Sequence, residues 1–156
     1  HGTNFIACMP TNLYGYNDNF DLEMSHVLPA LIAKVQKAKA NGDESFVVWG
    51  TGQVKREFLY VDDLAEACVF LMNNYDDSEI INIGTGEDVT IAQLVEAVKK
   101  AVGYEGEIVY DTSMPDGTPR KLLDVSKINN LGWKAKHSLA EGLELTTKWY
   151  KRTIIG

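Results

Sequence analysis

Short apolar runs alternate with amphipathic stretches along this 156-residue chain, and that alternation restricts it to α/β architectures. "NFIACMP" (4–10) reads as a buried strand ended by Pro10, and "SFVVWG" (45–50), "EFLYV" (57–61), the start of "EIINIGTG" (79–86) and "EIVYD" (107–111) read as further strands. Helical stretches lie between and after them. "SHVLPALIAKVQKAKANG" sets Val27, Leu28, Leu31, Ile32 and Val35 on one face, opens on a cap-like Ser25 and stops at Asn41–Gly42. Pro29 falls in its first turn, where a missing N–H is tolerated. "DDLAEACVFLMNN" (62–74) begins with two carboxylates, which complement the positive end of a helix dipole. "TIAQLVEAVKKAVG" and "SLAEGLELTTKWYKR" each open with a capping box, Thr90 with Gln93 and Ser138 with Glu141. "TNLYGYNDNFD" (11–21), rich in Asn, Asp and Gly, reads as loop. The first strand has no earlier element to pair with, so we expect something to precede it.

Composition narrows the partners. Hydrophobic residues make up 45% and charged residues 24%, enough apolar material for a folded core. The net charge of -7 disfavours a nucleic-acid partner but leaves room for a small anion held by local cations. No apolar run approaches the roughly 20 residues that span a bilayer, and the opening residues lack a signal-peptide pattern. No membrane partner and a cytoplasmic location are therefore expected. Cys8 and Cys68 lie in apolar runs outside any C-x-x-C pair and are expected to be buried free thiols.

Several stretches carry possible chemistry. "NIGTGEDVT" begins like a dinucleotide fingerprint, but G-x-G-x-x-G needs glycine where Val89 stands, so it reads as a strand-to-helix turn. No metal-ligand spacing and no Gly-x-Ser-x-Gly elbow is present. His1 is terminal and His137 sits in a polar loop, so both are expected to be solvated. His26 stands at a helix start, where the dipole favours a neutral ring able to exchange protons near neutrality. "SMPDGTPRKLLD" (113–124) places Arg120 and Lys121 just after a tight turn, and Arg56 follows the Gly50–Thr51–Gly52 turn. An arginine fork matches two phosphate oxygens, a lysine adds a point charge, and fixed turns lower the cost of ordering both. From these residues alone, surface ion pairs account for the cations as well as an anion site does. Trp49 suits core packing as well as ligand contact, and His26 suits a structural role as well as a chemical one.

Taken together, "CMPTNLYG", "SHVLPAL", "VVWGTG", "REFLYVDDLA", "INIGTG", "PDGTPRKLLDVS" and "LGW" occur in an order that resembles the GDP-L-fucose synthases. These are epimerase/reductases of the extended short-chain dehydrogenase/reductase superfamily. The "REFLYVDDLA" and "NIGTG" stretches mark the superfamily, whereas "MPTNLYG", "SHVLPAL" and "PDGTPRKLLD" are specific to the GDP-fucose branch. The resemblance covers the C-terminal half of that enzyme. It implies residues 1–156 as the C-terminal, substrate-binding part of an NADP-binding Rossmann fold, with late sheet strands near 4–10 and 79–84. The N-terminal half, with the Gly-rich loop and the Tyr-x-x-x-Lys pair, is absent: none of the seven tyrosines has lysine four residues on.

The resemblance also implies roles. Pro10, Thr11, Asn12 and Leu13 match a loop closing over the nicotinamide end of NADPH. His26 matches the acid/base histidine near that cofactor. Lys34, Trp49, Arg56, Asp116 and Lys121 match positions lining the GDP-sugar pocket, with Lys34 where some relatives carry arginine. The implied complete enzyme is a cytoplasmic homodimer that epimerises a GDP-4-keto-6-deoxy-sugar at C3 and C5 and reduces it at C4, whereas this chain by itself is expected to be inactive. Another nucleotide-sugar epimerase or dehydratase, or a non-catalytic sugar-nucleotide-binding module, stays open.

Overall fold

A computed structural model of the chain describes residues 3, 5–22 and 24–156. Fourteen elements follow in order: β1 (Cys8–Pro10), β2 (Asn12–Tyr14), α1 (Val27–Asn41), β3 (Ser45–Trp49), β4 (Lys55–Arg56), β5 (Phe58–Tyr60), α2 (Val61–Asn74), β6 (Ile81–Ile83), β7 (Val89–Thr90), α3 (Ile91–Val102), β8 (Glu107–Asp111), β9 (Arg120–Lys121), α4 (Ser126–Asn130) and α5 (Leu139–Tyr150). A single π-type turn (Lys151–Ile155) follows α5. No helix among the described residues is long and apolar enough to cross a membrane.

Three strand pairs are parallel: β1 with β6, β2 with β5, and β3 with β8. A small ribbon sets β4 between antiparallel β7 and parallel β9. Parallel pairing needs long crossovers, and the helices between the strands supply them. Strand β5 is the wall between two cores. Phe58 and Tyr60 enter the larger one, built from α1, α3, α5 and the inward face of β3, where Ile32, Val35, Leu94, Val98 and Leu143 are fully buried. Leu59 points the other way, into a core of Ala67, Leu71, Ile81, Ile83, Ile128 and Trp133. The period-2 alternation of one three-residue strand thus joins both cores.

Both capping boxes form as the sequence implies, each with its two reciprocal hydrogen bonds. Other expectations are corrected. Helix α1 is capped by His26, not Ser25, and makes no side-chain cap bond. The Ser25 hydroxyl is buried with no hydrogen-bond partner, one residue too early to reach the first free amides. The strand read at 4–10 is confined to Cys8–Pro10; Asn4 and His1 lie outside the described residues. The loop read at 11–21 contains β2, and the short elements β4, β7, β9 and α4 are additions. Cys8 is exposed rather than buried, because the whole of β1 is exposed, while Cys68 is partly buried.

Candidate functional site

The site grows from strand β4. Gly50 and Gly52 both have positive φ (83° and 75°), which turns the chain sharply out of β3 and into β4. A Cβ on Gly50 would stand 2.4 Å from the Asp116 carboxylate, so the two turns approach too closely for any side chain there. Asp116 is tied to this first turn: the Thr51 amide donates to it at 2.9 Å and the Thr51 hydroxyl at 2.6 Å. Those two donors hold its carboxyl below the usual carboxylate range.

The β4–β9 ladder then sorts the cations. Lys121 is the Cα partner of Arg56, and Arg120 is the partner of Lys55. Opposed residues share a face of a ribbon and successive ones alternate, so Arg56 and Lys121 share one face while Lys55 and Arg120 share the other. Arg120 donates from Nε to the Asp88 carboxylate, which lowers the acid's pKa and raises that of the arginine. The adjacent cation pair of the sequence is thereby split: Lys121 stands opposite Arg56, and Arg120 is paired with Asp88, whose side chain is only 8% exposed. Arg56 Nη1 donates to the carbonyls of Thr118 and Lys55, both at 2.7 Å. Those bonds aim the guanidinium and leave its remaining donors for a ligand.

Arg56 is a shared wall of adjoining cavities. One, of about 290 Å³, is lined by Lys34, Trp49, Arg56 and Asp116. The Lys34 ammonium sits 4.8 Å from the Trp49 ring centroid, a cation–π contact that orders both. Trp49 is 62% exposed, so core packing does not account for it. A second cavity, of about 510 Å³, is lined by Thr11, Asn12, Leu13, His26 and Arg56. Pro10 ends β1 just before that wall and is not one of its lining residues. The imidazole of His26 is exposed at the head of α1. Lys121 lines neither cavity; the structure places it only opposite Arg56 in the β4–β9 ladder.

Two features escaped the sequence reading. His137, expected to be solvated, is held by the buried carboxylate of Asp63, which accepts from its backbone amide at 3.0 Å and lies 2.9 Å from Nδ1. It lines a third cavity, about 420 Å³, with Arg56, Lys134 and Lys136. Glu57, next to Arg56, is fully buried and accepts hydrogen bonds from three backbone amides. A carboxylate inside the apolar run "EFLYV" was the available signal.

Parallel strands joined through helices, with cavities gathered around an arginine on strand β4, define an α/β enzyme-like class. The chain belongs to the NAD dependent epimerase/dehydratase family, whose model matches residues 1–84. Among curated relatives, it is 56% identical over 154 residues to GDP-L-fucose synthase 1 of Arabidopsis thaliana, covering 99% of this chain and 48% of that protein. It is 45% identical to GDP-L-fucose synthase of Escherichia coli K12, covering 96% and 50%. The crystal structure of a GDP-L-fucose synthetase from Naegleria fowleri bound to NADP superposes with a TM-score of 0.91 at 34% identity, covering 97% of this chain and 48% of that one. The chain spans about half the length of the curated relatives it matches.

Proposed function

We propose that this chain is the substrate-binding portion of a GDP-L-fucose synthase. The observation that carries the reading is the convergence of Lys34, Trp49, Arg56 and Asp116 on one cavity, with Lys121 opposite Arg56. Arg56 and Lys121 bind the diphosphate, Trp49 and Lys34 bound the nucleoside side, and Asp116 fixes the turn that presents them. This binding, remote from the reacting carbons, holds the sugar in register with the chemistry. His26 then stands at the reacting end as the acid that returns protons at C3 and C5 after the C4 ketone has acidified them.

The residues around the second cavity fit the nicotinamide end of NADPH. Thr11, Asn12 and Leu13 follow β1, and ligands of open parallel sheets bind beyond the carboxyl ends of the strands. NADPH bound there supplies hydride for reduction at C4. In this reading β1 and β6 are late strands of the Rossmann sheet, and the chain's missing Tyr-x-x-x-Lys pair belongs to the remainder of a cytoplasmic, homodimeric enzyme.

Thermal melts titrated with GDP and, separately, with UDP test the reading. A melt raised by GDP and not by UDP supports it. A cooperative melt indifferent to GDP contradicts it.

A further inference from the structure

We propose that Glu57 is the positioning residue of this site, a buried anion that ties the proposed cofactor loop, the diphosphate-binding strands and the glycine turn into one rigid unit. The inference rests on the reading above for what the unit binds, and on this structure for the tie itself.

Glu57 is fully buried between Arg56 and Phe58. Its Oε1 accepts from the amides of Thr85 at 2.7 Å and Gly86 at 2.8 Å, and its Oε2 from the amide of Leu123 at 3.0 Å. The Thr85 hydroxyl adds a longer contact to Oε1 at 3.4 Å. The backbone carbonyl of the same residue accepts from Asn12 Nδ2 at 2.7 Å and from Thr11 Oγ1 at 3.4 Å. One residue therefore holds four segments: residues 11–12, β4 through its neighbour Arg56, the turn at 84–86, and the chain just after Lys121.

The arrangement is specific to a carboxylate. Three backbone N–H groups converge on two oxygens, so the acceptor must lack hydrogens of its own, and charge-assisted bonds of this kind are the strong ones. A neutral amide would turn N–H toward N–H. Gly84 is matched to it, since a Cβ there would lie 2.3 Å from Oε1. Arg56 and Lys121 stand opposite each other because β4 and β9 are in register. Glu57 follows the first and grips the amide of Leu123 beyond the second, so it holds the two parallel strands together just past the Arg56–Lys121 pair. The buried acid is thus placed to set the spacing of the half-buried Arg56 and the exposed Lys121 without touching a ligand.

The test uses the chain as it stands, with wild type and Glu57→Gln compared below their melting temperatures. Hydrogen exchange is expected to show residues 11–13, 84–86 and 121–123 losing protection together in Glu57→Gln, with α3 and α5 unchanged. GDP affinity of the folded variant is expected to fall by roughly tenfold or more. A merely structural residue would lower the melt and leave the affinity of the folded protein alone. Unchanged affinity in a variant that folds, or loss of protection in one segment only, overturns the proposal. If wild type itself fails to bind GDP, the functional reading falls and the exchange pattern alone decides the role of Glu57. Should Glu57→Gln not fold, Gly84→Ala, which displaces Oε1 and keeps its charge, is read by the same two criteria.

Discussion

Lys121 stands directly opposite Arg56 across the parallel β4–β9 ladder, whereas Arg120, its neighbour in sequence, stands opposite Lys55 and donates to Asp88. Two adjacent cations thus lie on opposite faces of the ribbon. Arg56→Ala is expected to weaken GDP binding by roughly 10- to 150-fold, the span of about 1.5–3 kcal/mol for hydrogen bonds to charged groups. Arg120→Ala is expected to change it by less than about twofold, because Arg120 is paired with Asp88 on the face of the ribbon away from Arg56. Isothermal titration calorimetry separates the two, and equal losses would contradict the ladder's sorting.

His26 is exposed at the head of α1 and lines the cavity that also holds Thr11, Asn12 and Leu13. In the complete enzyme, His26→Gln is expected to slow epimerisation by roughly 10²–10⁴-fold, the usual yield of one general acid. GDP affinity should stay within about threefold, since remote binding and proton transfer are separate functions. Proton NMR of deuterium exchange at C3 and C5 of the sugar reads the first quantity. Exchange at the wild-type rate would remove His26 from the chemistry.

The Thr51–Asp116 latch predicts a pH dependence. Hydrogen bonds from Thr51 hold the Asp116 carboxyl below its ordinary value. With the folded pKa lower than the unfolded one, the latch contributes in full above about pH 4 and is lost as pH falls through the folded value. Hydrogen exchange at residues 50–52 should therefore rise on acidification. Asp116→Asn, which keeps an acceptor but cannot ionise, should remove that response; the same acid response in the variant would assign it to another group.

The capping box at α3 is a local device, and its N-cap Thr90 also ends the strand paired with β4. Thr90→Ala removes the side-chain acceptor of the Gln93 amide, which lies at 3.0 Å. It is expected to cost about 1 kcal/mol of stability. Denaturant unfolding measures this; an unchanged stability would contradict it.

What was legible in the sequence was mostly local. Thr90 with Gln93 and Ser138 with Glu141 show their partners three residues away, and both boxes form. The helical face of α1 was equally plain, although its cap was misread by one residue because Ser and His both stand at the boundary and Ser is the commoner cap. The short strands were not legible. β2, β4 and β9 have two or three residues each, too few for a period to show, and their partners lie far along the chain. The site divides the same way. Resemblance named Lys34, Trp49, Arg56 and Asp116, and one cavity gathers them. The partners of Arg120 and His137 lie 32 and 74 residues away, so nothing beside either residue announced them. Glu57 was visible only as an acid at the head of an apolar run, and its three amide donors come from the glycine turn at 85–86 and from Leu123, just past β9.

The most direct measurement is a crystal structure of this chain with GDP. The account predicts the diphosphate on Arg56 and Lys121, with guanosine in the cavity bounded by Lys34 and Trp49. Density for GDP in the cavity lined by Lys134, Lys136 and His137, with Trp49 untouched, would contradict it.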